Sequence, residues 1–129
     1  MAAKFYFLLE ADTGKVYLKP FFSVSSIPLL SPKRFEVVNA VFLPAPFRML
    51  VASDGLDRGL PINFMASFYY GLSQNNKVIF GDAVILKCSY FRPHGDLGIL
   101  DGLDETEVKF MGLSLSQCFG VDLPRYVAV

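Results

Sequence analysis

The chain is 129 residues long, with 12 Lys and Arg against 12 Asp and Glu, 53% hydrophobic and 19% charged. That length fits a single domain, since domains commonly run about 100–150 residues. Balanced charge removes the excess of Lys and Arg through which nucleic acid is mainly bound, and Lys33–Arg34 is the only adjacent basic pair, so no nucleic-acid partner is expected.

In chain order, KFYFLLEA (residues 4–11) is a β-rich apolar run, DTG (12–14) supplies a turn, and KVYLKPFF (15–22) alternates polar and apolar residues. Together they predict a β-hairpin, with Pro20 ending the second strand or marking an edge. The segment 23–33, with two prolines and four serines, reads as a connector with at most one helical turn. A third strand is predicted over RFEVVNAVFL (34–43), broken by PAP (44–46), and a fourth over FRMLVAS (47–53).

SDGLDRGLPINFMAS (53–67) then brings a turn at Asp54–Gly55 and a short helix over residues 63–71. Asn63 is placed to cap it, Gly71 to end it, and Phe64, Phe68 and Leu72 share one face. KVIF (77–80) and AVILKCSY (83–90) read as two short strands separated by a turn or bulge at Gly81–Asp82. RPHGDLGILDG (92–102) reads as a polar, glycine-rich loop. The closing helix starts at the D-x-x-E capping pattern of Asp104 and Glu107, with Leu103 and Val108 as a hydrophobic staple. It buries Val108, Met111, Leu115 and Cys118 and stops at Gly120, with Gly112 inside it.

Strands outnumber helices and connections between neighbouring strands are mostly short. The expected fold is therefore α+β: a mainly antiparallel sheet with one or two helices packed on one face, in a single domain over residues 1–129.

Three groups of residues invite a functional reading. Gly55 and Gly59 let the backbone approach a ligand, Asp57 and Arg58 add charge, and free amides at the Asn63 helix start favour an anion. Gly55, Asp57, Arg58, Gly59 and Asn63 are thus a candidate site for an anionic or nucleotide-like molecule. The spacing is neither a phosphate loop nor a dinucleotide fingerprint, and a turn plus an N-cap explains the same residues. His94 and Asp96 on the 92–102 loop form the one pair suited to acid–base work, without an identifiable nucleophile. The aromatic residues Phe64, Phe68, Tyr69 and Tyr70, with Tyr90 and Phe91, suit a core or a partner contact better than base stacking, given the zero net charge.

Two cysteines without paired C-x-x-C spacing, Cys88 and Cys118, read as reduced, partly buried thiols, with no disulfide framework and no metal site. Asp101, Asp104, Glu105 and Glu107 complement the closing helix dipole better than they would a calcium loop. The longest apolar stretch, residues 37–52, is interrupted by asparagine, prolines and arginine, so no membrane span is expected. No secretory signal is expected at the N-terminus, where Glu10 and Asp12 interrupt the apolar run, and an intracellular, cytoplasmic location is the natural expectation, with organelle or virion association left open.

ASDGLDRGLPINFMASFYYG, VIFGDAVIL and LDGLDETEVKFM, in that order, resemble a family of small domains of unknown function from phages, plasmids, bacteria and some algae. The resemblance spans residues 47–111 and implies that Leu60, Pro61, Asn63, Gly81 and Asp82 are the family-typical positions. It implies no catalytic residue. The chain departs before the third strand, where FSVSSIPLLSPKRFE replaces the short helix and Gly–Gly turn of the family.

Thirteen phenylalanines in a small chain with no net charge make either a Phe-rich core or a surface that another chain buries. The expected function is that of a small non-enzymatic interaction or accessory protein, a homo-oligomer or a subunit of a larger assembly, with no cofactor. The alternative is the ligand-binding module of residues 54–63, and an enzyme using His94 and Asp96 ranks third.

Overall fold

A computed structural model describes residues 3–27, 35–38, 40–71, 78–90 and 99–120. Its centre is β5 (Ala83–Tyr90), eight residues that include the strand-favouring Val84, Ile85 and Tyr90. One edge of β5 carries β4 (Phe47–Ala52), which carries β3 (Phe35–Val38). The other edge is shared. Residues 83–85 pair with β1 (Phe5–Leu9), and Lys87 to Tyr90 pair with β6 (Ile99–Asp101). β2 (Val16–Pro20) lies outside β1, with Leu9 opposite Val16 and Phe5 opposite Pro20. The order is β2-β1-β5-β4-β3, and every described pairing is antiparallel.

The hairpin forms as the sequence predicts, though its loop has four residues. The Glu10 amide donates to the Lys15 carbonyl (2.9 Å), and Gly14 closes the turn at φ +69. A left-handed backbone at that position favours glycine.

Alternation sorts the strand residues onto two faces. Phe7, Leu9, Met49, Val51, Ala83 and Ile85 point to one side and pack with both helices, α1 (Phe64–Tyr70) and α2 (Glu105–Phe119). The opposite side carries Tyr6, Leu50, Val84 and Leu86, packed with Ile27, with Phe21 and with Val24, which opens the 3₁₀ turn Val24–Ser26. The connector thus closes the face that the helices leave open. Because both faces are covered, β4 and residues 83–88 of β5 are buried along nearly their whole length.

Both helices begin and end as their sequences indicate. Asp104 and Glu107 exchange side-chain-to-amide hydrogen bonds at 2.9 Å each, and Gly120 adopts φ +66. Leu103 and Val108 pack at the same helix start. Lys87 donates to Glu107 Oε1 at 2.7 Å, joining the middle of β5 to the first turn of α2.

Four expectations are corrected. The third strand stops at Val38, and the amides of Val41 and Phe42 turn away to the carbonyls of Tyr70 (3.4 Å) and Tyr69 (3.0 Å). The last carbonyls of a helix have no partner within it, and those of α1 recruit this segment out of the sheet. Residues 78–80 do not join the sheet either. Phe80 bridges Ile62, and the Asn63 amide donates to the Ile79 carbonyl (2.8 Å). Residues 99–101, expected in a loop, form β6, because β1 occupies only the first half of that β5 edge. Finally Cys118, assigned to the packed face of α2, is exposed, and Phe119 packs on the core in its place.

Candidate functional site

The loop between β4 and α1 winds back on itself. The Arg58 amide donates to the Asp54 carbonyl, Gly59 to Leu56, and Leu60 to Gly55, each at 3.0 Å. Gly59 takes φ +67, and the Arg58 guanidinium lies 3.6 Å from Asp54 Oδ1. The chain then runs antiparallel to residues 79–81, where the Gly81 amide donates to the Pro61 carbonyl (2.7 Å).

Asn63 is the hub. It is 1% exposed. Its Oδ1 accepts from the Ala66 amide (3.0 Å), and its Nδ2 donates to the carbonyls of Leu9 (2.9 Å) and Gly81 (3.0 Å). One side chain thus caps α1 and ties it to the end of β1 and to the approach to β5. Nearby, Ser67 Oγ accepts from the Ile79 amide (2.9 Å) and Asp82 Oδ1 from the Ala11 amide (2.8 Å). Leu60 lies over Gly81, whose φ is +88 and where an added Cβ would meet Leu60 Cδ1 at 2.8 Å. Leu60, Pro61, Asn63, Gly81 and Asp82 therefore converge on one node that joins β1, α1 and β5.

This geometry separates the residues expected to form a ligand cradle. Gly55 is buried against Phe80, and an added Cβ would stand 2.5 Å from the Phe80 carbonyl oxygen. Asn63 uses its acceptor and both donors on the protein. Only Asp57, Arg58 and Gly59 face solvent. Of the amides at the helix start, that of Ala66 is taken by Asn63 itself.

The aromatic group also divides. Phe64 is 79% exposed and Phe68 47%, whereas Tyr69 is 1% exposed and Tyr70 packs partly on the core. The packed face of α1 is Met65, Ala66 and Tyr69, so the expected Phe64–Phe68 face is the outer one. Burial pushes the Tyr69 phenol up against the opposing effect of its hydrogen bond with Ser114 Oγ (2.9 Å), with Cys118 also raising it. Phe68 stacks on Phe42 (centroids 5.8 Å) and meets Phe119 edge-on (5.3 Å). Phe42, Phe68 and Phe119 are thus in ring contact, and Phe64 stands exposed one turn earlier on α1. Phe42 was hidden in the sequence by a strand-like context, and Phe119 by its place at the very end of a helix.

His94 and Asp96 lie outside the described residues. Among the described residues no group of three or more His, Cys, Asp or Glu side chains is placed to hold a metal ion, and no helix is long and apolar enough to cross a membrane. Cys88 is buried and Cys118 exposed, and no disulfide joins the two.

The class defined by this fold is an α+β domain whose mainly antiparallel sheet carries its helices on one face. Comparison with family models, with curated proteins and with solved structures finds no match for this chain.

Proposed function

We propose that the chain is a non-enzymatic interaction protein acting through an aromatic contact surface on the outer side of α1, as a homo-oligomer or a subunit of a larger assembly. One observation carries this reading. Phe64 is 79% exposed, Phe68 and Phe42 are each 47% exposed, and Phe68 and Phe42 are stacked in one cluster. Burying such a ring against a partner is worth about 1.5–3 kcal/mol, and aromatic anchors dominate many interfaces. The sequence of α1, FMASFYY, contains no charged side chain, so a partner seated there strips no ion of α1 of its water.

Sedimentation velocity over a range of concentrations tests this, with Phe64→Ser alone and with Phe64→Ser/Phe68→Ser. The full chain should self-associate or, alone, bind a hydrophobic dye through this face. Both variants should keep the fold by circular dichroism and lose that behaviour. A wild-type monomer that binds no dye, indistinguishable from its variants, would refute the proposal.

Kinship with the phage, plasmid, bacterial and algal domains is likewise proposed. Its support is that the five family-typical residues meet in one node instead of lying scattered.

A further inference from the structure

β3 meets the end of β4 at a corner of the sheet, beside residues 78–80. Glu36 pairs with Val51 across the two strands, so the two side chains share the helix-side face. A pocket of about 490 Å³ opens there, between the β3–β4 corner and residues 78–80. Val51, Ala52 and Ile79, each no more than 7% exposed, form its apolar floor, and Leu56, 67% exposed, stands at the rim. Its volume lies within the range of about 300–1,000 Å³ usual for small-molecule sites.

Glu36 and Ser53 supply its polar side chains. Neither makes a hydrogen bond or ion pair to another described residue, and no described lining residue is cationic. Arg58, the charge expected to attract an anion, is turned to Asp54. An ionised carboxylate accepts hydrogen bonds and donates none, so it selects an N–H donor and repels an anion.

From this we infer that the Glu36 pocket binds a small organic cation, an ammonium group on an apolar or aryl-alkyl body. The body would lie on Val51, Ala52 and Ile79, with the ammonium at the Glu36 carboxylate. The inference is independent of the aromatic contact surface, which lies on the outer side of α1, and it reverses the sign of charge expected for a ligand beside Gly55.

The test is a titration of the full ¹⁵N-labelled chain, followed by amide chemical shifts, with three probes of one shape: phenethylammonium, 2-phenylethanol and phenylacetate. Phenethylammonium should move the amides of Glu36, Ser53, Gly55, Leu56 and Phe80 saturably, with about tenfold tighter binding than the alcohol, as a charge-assisted hydrogen bond would provide. Phenylacetate should move none of them. Glu36→Gln, a change at an exposed strand position, should abolish the preference for the amine and leave binding of the alcohol intact. Absence of saturable shifts with phenethylammonium, equal binding of the alcohol or the carboxylate, or a preference that survives Glu36→Gln would each overturn the inference.

Discussion

Asn63 offers the sharpest test of whether the 53–63 segment is built for the fold. Replacing it with alanine removes three hydrogen bonds of 2.9–3.0 Å from a site that is 1% exposed. At about 1 kcal/mol net per bond the loss is about 3 kcal/mol, and the helix cap alone accounts for about 1 of it. That is a large share of the roughly 5–15 kcal/mol that holds a domain folded. Asn63→Ser keeps a cap acceptor and loses both carbonyl contacts, so about 2 kcal/mol is expected. Asn63→Asp also keeps the acceptor, but at neutral pH it sets a carboxylate against the carbonyls of Leu9 and Gly81, and it should be less stable than Asn63→Ser. Urea denaturation followed by far-ultraviolet circular dichroism reads all three, since the chain has no tryptophan. A cost below about 0.5 kcal/mol for Asn63→Ala, or Asn63→Asp matching wild type, would refute the hub and return Asn63 to the ligand candidates.

Two further predictions concern the glycines and the helix cap. Gly55→Ala places a Cβ 2.5 Å from the Phe80 carbonyl oxygen, so backbone must move, and about 1–3 kcal/mol should be lost in urea denaturation. Gly59→Ala meets open space and only the left-handed φ, at about 1 kcal/mol; if it proves the costlier change, the packing argument at Gly55 fails. The Glu107 amide, outweighing slight desolvation and helped by Lys87, holds the Asp104 carboxyl below the ordinary carboxylate value. A lowered value in the folded state means that this stabilisation is complete above about pH 4 and is lost as pH falls through the folded value. Asp104→Asn keeps a cap acceptor and does not titrate. Its melting temperature should therefore lie below wild type at pH 7, with the gap closing on acidification. A gap that stays constant from pH 7 to pH 2 would contradict this account of Asp104.

Local chemistry was legible in the sequence wherever it depends on residues close together in the chain. The Asp104–Glu107 capping box, the Asn63 cap, the left-handed Gly71 and Gly120 ends and the 5–20 hairpin all form as their residue types indicate. Each is settled within a few residues by backbone geometry and by a side chain that reaches its neighbour. What the sequence left open were choices between partners distant in the chain. Residues 41–42 have strand propensity and yet serve the carbonyl end of α1, residues 78–80 pair with 62–63, and Ile99–Asp101 become a strand because β5 has a vacant half-edge. The same non-local logic moved the candidate site. Gly55 and Asn63 look available in a polar stretch, but Phe80, Leu9 and Gly81 arrive from 18 to 54 positions away to occupy them. By itself the sequence determined the α+β class and the helix ends. Tertiary structure alone decided which polar groups are consumed by the fold and which, like Glu36, are left facing a pocket, because a hydrogen-bonding side chain is committed only when packing brings its partner within reach.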